Sequence, residues 1–105
     1  MTRKPGEVYI VDLGMAAKVR PMVIISREDP SAPRALSICA PITSSNRGSK
    51  YEVPIGKPRF LSVEGYVNVQ GIQAVQHHEL QRKIGQLSQE NMIEIRNALR
   101  FALEL

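Results

Sequence analysis

Clusters of glycine, proline, serine and asparagine cut this chain into short apolar runs of strand length, and a single longer helical pattern closes it. That order restricts the fold to a β-rich body followed by one helix, an α+β chain that is mainly β. Gly6 to Asp12 and Pro21 to Ser26 are β-branched runs. The second is apolar throughout, which suits a strand buried on both faces at the centre of a sheet. Ala35 to Ile42 reads as a third strand, Lys50 to Ile55 as a fourth, and Glu64 to Val75 as a long fifth segment. Val67 and Val69 share one parity, whereas Ile72 and Ala74 fall on the other. The phase change at Gly71 predicts a bulge or sharp bend there.

The breakers mark loops at Gly14 to Val19, Glu28 to Pro33, Thr43 to Ser49 and Gly56 to Arg59. Ser88 has the chemistry of a helix N-cap, with Glu90 in the first turn. Beyond it Met92, Ile95, Leu99, Ala102 and Leu103 recur at helical spacing, with Glu94, Asn97, Arg100 and Glu104 opposite them. From Leu80 to Leu87 both a helical turn and a short strand fit the pattern.

With 105 residues the chain forms one domain, residues 1–105. Its apolar runs fall short of the roughly 18 residues that span a bilayer, and no apolar stretch follows Arg3 and Lys4. A cytoplasmic chain with no membrane partner is expected. Cys39 is the single cysteine, which excludes an internal disulfide and a cysteine-rich zinc site. The net charge is +4, and ten of the 14 Lys and Arg lie at or before Phe60 against five of the ten acids. A basic half of this kind suits a polyanionic partner, a nucleic acid or an acidic protein tail. It also suits a merely solvated surface.

Two loops carry the candidate chemistry. In Lys18-Val19-Arg20-Pro21 the proline fixes its own φ and restricts Arg20 to extended conformations, so the guanidinium stands on stiffened backbone. In Thr43-Ser44-Ser45-Asn46-Arg47-Gly48-Ser49 several hydroxyls and backbone N–H groups crowd a small space, which suits phosphate oxygens, although for the loop alone an ordinary capped turn is the simpler reading. Cleavage of RNA by its own 2′-hydroxyl requires neither water nucleophile nor metal. It requires removal of the 2′ proton, protonation of the departing 5′-oxygen, and donors for the phosphorane oxygens. A guanidinium supplies charge and donors but poorly serves as base, since its pKa exceeds about 12. On this chemistry Arg20 is the phosphorane clamp and Thr43 a second donor.

His77 and His78 are the alternative acid and base. Adjacent residues point to opposite faces of a strand and diverge by about 100° on a helix, so two consecutive imidazoles rarely converge on one phosphate. A surface turn is the simpler reading. Cys39, between Ile38 and Ala40 in an apolar run, reads as a packed thiol and not a nucleophile.

Gly6-Glu7-Val8-Tyr9-Ile10-Val11-Asp12-Leu13, then Val19-Arg20-Pro21-Met22-Val23-Ile24-Ile25-Ser26, then Ala40-Pro41-Ile42-Thr43-Ser44, resemble the MazF/PemK toxins. Gly65-Tyr66-Val67-Asn68-Val69-Gln70, Ile84-Gly85-Gln86-Leu87 and the closing helix extend the resemblance over nearly the whole chain. It implies a compact, strongly bent SH3-like β-barrel of the MazF/PemK/CcdB type with a C-terminal helix, paired into a homodimer. It favours the strand for Ile84 to Leu87. Function is implied with it: a metal-independent, sequence-specific endoribonuclease of a toxin–antitoxin system that cuts single-stranded RNA, leaves a 2′,3′-cyclic phosphate and a 5′-hydroxyl, and needs no cofactor. The family's catalytic arginine and threonine fall on Arg20 and Thr43. Substrate contacts are implied at Lys18, Ser44, Ser45, Asn46, Arg47, Gln70 and Gln73, and the implied protein partner is an antitoxin with an acidic, partly disordered segment.

This chain departs from the family in two places. Gly14-Met15-Ala16-Ala17-Lys18 stands where many members have a longer loop, and Gln70-Gly71-Ile72-Gln73 stands where members often read Asp-Gln-Ile-Arg. Groups that hold the backbone are separable from groups that read bases, so the departures bear on the cleavage sequence and not on the cleavage class. A CcdB-like gyrase poison shares the implied fold but depends on a terminal Trp-Gly-Ile, and this chain has no tryptophan. A non-catalytic nucleic-acid-binding barrel commonly stacks bases on clustered aromatics. Here Tyr9, Tyr51, Phe60, Tyr66 and Phe101 are scattered along the chain.

Overall fold

The apolar runs become seven strands. The structure, a computed structural model, describes residues 3–14 and 19–105. Its elements are β1 (Glu7–Asp12), β2 (Val19–Ile24), β3 (Leu36–Thr43), β4 (Glu52–Gly56), β5 (Gly65–Asn68), β6 (Gln73–Gln76), β7 (Leu80–Gln86) and α1 (Gln89–Leu103). Two 3-10 turns, Val69–Gly71 and His77–Glu79, separate β5 from β6 and β6 from β7. The strands pair antiparallel in the order β4-β5-β3-β2-β1-β7, and β6 also lies beside β3.

β3 is the pivot of the sheet. Its first half, Leu36 to Cys39, pairs with β6, while Ile42 and Thr43 at its end pair with Val67 and Tyr66 of β5. The expected fifth segment is therefore one path broken in the middle, and the break falls at Gly71 as the phase change predicts. Its form is a full 3-10 turn. A Cβ on Gly71 would come within 2.9 Å of Pro41 Cγ, so the close crossing over β3 is what requires glycine there.

β2 is central, with Met22, Val23 and Ile24 all buried. One face of the sheet carries Val8, Val23, Ala40, Ile42, Val53 and Val67 against Met92, Ile95 and Ala98 of α1. The other face buries Tyr9, Val11, Met22, Ile24 and Cys39 with Val75 and Leu80. Each fully buried side chain of this size contributes about 2 kcal/mol of transfer free energy. Glu7 ties β1 to β7: its carboxylate accepts from Lys83 Nζ at 3.1 Å, Tyr9 Oη at 3.2 Å and Lys4 N at 2.9 Å. Burial alone would raise its pKa, but these bonds and the Lys83 charge hold the carboxyl below its ordinary range.

Several boundaries differ from the sequence reading. β2 begins at Val19, two residues before Pro21, because Val19 and Arg20 pair with Asp12 and Val11 of β1. β4 begins at Glu52 and not Lys50. Lys50 and Tyr51 are drawn to α1, with Lys50 Nζ 5.2 Å from the Phe101 ring centre and the Tyr51 ring 5.3 Å from it. Leu80 to Gln86 is a strand throughout. In α1 the Ser88 side chain accepts from Asn91 N, as an N-cap should. Leu103, expected on the buried face, is 51% exposed, and Ala98 is buried. No described helix is long and apolar enough to cross a membrane.

Candidate active site

Arg20 and Thr43 are far apart in sequence but their strands are neighbours. The β2–β3 ladder pairs Ile24 with Cys39, Val23 with Ala40 and Met22 with Pro41. Beyond that last pair, two residues along each strand, lie Arg20 and Thr43, and the alternation of the strands gives them the parity of the Met22–Pro41 pair. Each is held from its other side as well, Arg20 by pairing with Val11 and Thr43 by pairing with Tyr66. Arg20 thus sits within a strand ladder and not in a loop. Its side chain is exposed, and that of Thr43 is half-buried.

Beyond Thr43 the chain forms a turn stapled by its own side chains. Thr43 Oγ1 accepts from Ser45 N at 3.0 Å. Since the amide occupies a lone pair, the hydroxyl hydrogen remains available to donate. Asn46 Oδ1 accepts from Gly48 N at 2.8 Å, closing a turn that needs the positive φ of +69° at Gly48. Glu52 accepts from Arg47 N, Ser49 N and Ser49 Oγ. Led by the Ser49 amide, these bonds overcome desolvation and hold the Glu52 carboxyl below its ordinary range.

Of the two readings of this loop, the bonding matches the capped turn: the amides of Ser45, Arg47, Gly48 and Ser49 all point at acceptors of the protein itself. What stays outward is side-chain chemistry: Ser44, Ser45, Asn46 and Arg47 are exposed.

Gln70 is exposed in the turn after β5, where its amide donates to Asn68 Oδ1. Gln73 is brought less close. It pairs with Cys39, about 13 Å back along β3 from Thr43. Lys18 lies outside the described residues. Two neighbours of the site, Tyr66 and Glu52, were not singled out from the sequence. Alternation along β5 marks Tyr66 as facing away from the core, but only the pairing to Thr43 shows what it stands beside. No local signal marks Glu52.

The histidines diverge. His77 Nε2 lies 3.1 Å from Ser37 Oγ, whereas His78 is exposed. Burial, and then the charge of Arg3, hold the His77 imidazole below its ordinary range. Ser37 and His77 line a groove of about 690 Å³, which lies at the opposite end of β3 from Thr43 and holds none of the expected site residues. Cys39 is buried, and desolvation pushes its thiol up to about 12. It is a packing residue. Among the described residues no three His, Cys, Asp or Glu side chains group as metal ligands.

Comparison with known proteins joins this geometry to a family. Residues 4–103 match the PemK-like, MazF-like toxins of type II toxin–antitoxin systems. No curated protein matches by sequence. Among solved structures, an endoribonuclease in complex with its cognate antitoxin, from a mycobacterial species, is 29% identical with a TM-score of 0.84, over 97% of this chain and 95% of that one. The Mycobacterium tuberculosis toxin MazF-mt6 is 28% identical with a TM-score of 0.82, over 94% of this chain and 97% of that one. A MazE–MazF structure from Deinococcus radiodurans, 19% identical, has a TM-score of 0.80 over 100% of this chain and 98% of that one, a likeness of fold. With nearly its full length matched, and the Arg20 and Thr43 strands side by side, the chain belongs to the PemK-like, MazF-like toxins of type II toxin–antitoxin systems.

Proposed function

We propose that this chain is an endoribonuclease that cuts single-stranded RNA by attack of the internal 2′-hydroxyl, with Arg20 and Thr43 as its catalytic pair. The observation that supports the reading is the β2–β3 register, whose last pair, Met22 with Pro41, lies two residues from Arg20 on one strand and from Thr43 on the other, with the Thr43 hydroxyl accepting from Ser45 N and so left its hydrogen to donate. In the reaction the 2′-oxygen bonds to phosphorus, the bond to the 5′-oxygen breaks, and one proton passes in net from the former to the latter. The products are a 2′,3′-cyclic phosphate and a 5′-hydroxyl. Arg20 neutralises the phosphorane oxygens as charge develops, and Thr43 donates to one of them. Neither role needs a metal ion. Ser44, Ser45, Asn46 and Arg47, with Gln70, Gln73 and Lys18, supply the surrounding RNA contacts.

The working unit is a homodimer in the cytoplasm, and its inhibitor is an acidic antitoxin segment, disordered when free, that folds over Arg20 and the 43–49 loop. Inhibition is then competitive with RNA. The endoribonuclease relatives support the reaction class.

Purified protein is expected to cleave single-stranded RNA in EDTA, and mapping of the new 5′ ends reads the cleavage sequence. An absolute requirement for Mg²⁺, or equal cleavage of duplex RNA, would refute this reading. Affinity for RNA should fall with salt along a log–log slope of about −2 to −4, for some three to five neutralised phosphates.

A further inference from the structure

The 43–49 loop would hold the RNA, but its shape is set from outside, by Glu52. This residue opens β4 and pairs with Asn68. Both its oxygens take the Arg47 amide at 3.1 Å, and Oε1 also takes Ser49 N at 3.1 Å and Ser49 Oγ at 3.0 Å. The post itself is firmly set. Preceding it, Tyr51 stacks on Phe101 of α1 and its carbonyl accepts from Val69 N at 2.9 Å, and Lys50 lies over the same ring.

A carboxylate is unfavourable beside a surface that receives phosphate, because it adds repulsion where the ligand brings negative charge. What it provides is acceptor capacity: two oxygens with no hydrogen can gather several N–H and O–H donors at one point. Three donors directed at it also offset much of its charge, and they hold its carboxyl below the ordinary range, so it stays ionised at neutral pH.

We infer that Glu52 is a positioning residue of the cleavage site, which draws the Arg47 and Ser49 amides inward and thereby sets Ser44, Ser45 and the Arg47 guanidinium outward beside Thr43 and Arg20. The inference rests on the reading of Arg20 and Thr43 given under the proposed function. It assigns the loop two layers. The backbone is consumed in holding shape, and the side chains meet RNA.

The test is Glu52→Ala in the full chain, with circular dichroism confirming the fold. Alanine removes both acceptor oxygens, whereas the carbonyl of a glutamine could keep the contacts gathered on Oε1. Amide hydrogen exchange at Arg47 and Ser49 should accelerate about tenfold or more, a readout independent of RNA. Single-turnover cleavage at saturating RNA should fall about tenfold or more, as expected when contact groups shift by a fraction of an ångström. In a Thr43→Ala background the same substitution should cost clearly less, since groups that act as a unit are not additive.

Unchanged exchange would remove the tether and the inference with it. Faster exchange with cleavage within twofold of wild type would overturn the positioning role and leave Arg20 and Thr43 in place. A full additive loss in the Thr43→Ala background would make Glu52 a merely structural residue. If Arg20→Ala and Thr43→Ala both cleave at the wild-type rate, the site itself is misread, whatever the exchange shows. Should Glu52→Ala fail to fold, Ser49→Ala removes the Oγ bond to Glu52, together with the one that Oγ accepts from Tyr51 N, and should lower cleavage about threefold; no change would overturn the inference.

Discussion

The two ends of β3 differ in what they hold and in what they leave available. At its start, Ser37 is buried and bonded to His77, beside a groove of about 690 Å³. At its end, about 20 Å away, Thr43 opens a loop with exposed hydroxyls, and Arg20 stands on the neighbouring strand. Cavity volume and titratable imidazole favour the first end. Available chemistry favours the second, because the imidazole is engaged and kept neutral by burial and by Arg3, whereas Thr43 still has a hydrogen to give. An extended polyanion needs a surface lined with donors more than it needs an enclosed pocket.

The comparison breaks most directly at Arg20. Arg20→Ala should lower single-turnover cleavage of a short RNA by about 10² to 10⁴, as when a charge-stabilising donor is lost. Because its side chain is exposed, circular dichroism should show the fold unchanged. Thr43→Ala should be milder, about 10- to 10²-fold, since a neutral hydroxyl is a weaker donor to a dianionic phosphorane. A folded Arg20→Ala variant that cleaves normally would place the chemistry elsewhere.

At the other end the effects should appear in stability. Ser37→Ala leaves the half-buried His77 Nε2 without its partner and should cost about 1 kcal/mol in chemical denaturation, with cleavage unaltered. His77 carries a sign that can be checked. Its folded pKa lies below the ordinary 6.5, so the unfolded chain takes up the proton first as pH falls. Wild-type stability should therefore decline from about pH 6.5 downward until the folded pKa is passed, and His77→Ala should flatten that decline. The smallest expected effect is on cleavage by His77→Ala and His78→Ala, singly or together, which should stay near wild type. A histidine variant that is folded but inactive, beside an active Arg20→Ala, would reverse the assignment of the two ends.

Much of this was legible along the chain. Breakers separated the strands, Gly71 marked the break between β5 and β6, uniform burial of Met22 to Ile24 placed β2 at the centre, and Ser88 began the helix. These are local signals: a positive φ, a missing Cβ, a side-chain oxygen near a free amide or a repeat of two or 3.6 residues acts within a few positions of itself. The places where the reading failed are those where a distant partner decides. Lys50 left the expected strand for Phe101, and on α1 it is Ala98 and not Leu103 that is buried against the sheet.

By itself, then, the amino-acid order determined the sequence of strands and helix, the breaks between them, and the residue types able to clamp a phosphate. Tertiary structure alone decided that the strands of Arg20 and Thr43 lie side by side, that Tyr66 pairs with Thr43, and that the Arg47 and Ser49 amides are taken by Glu52. The physical reason is register. Which residues face one another across a sheet is settled by the faces that must be buried together and by the turns that join the strands, and no residue carries that information alone.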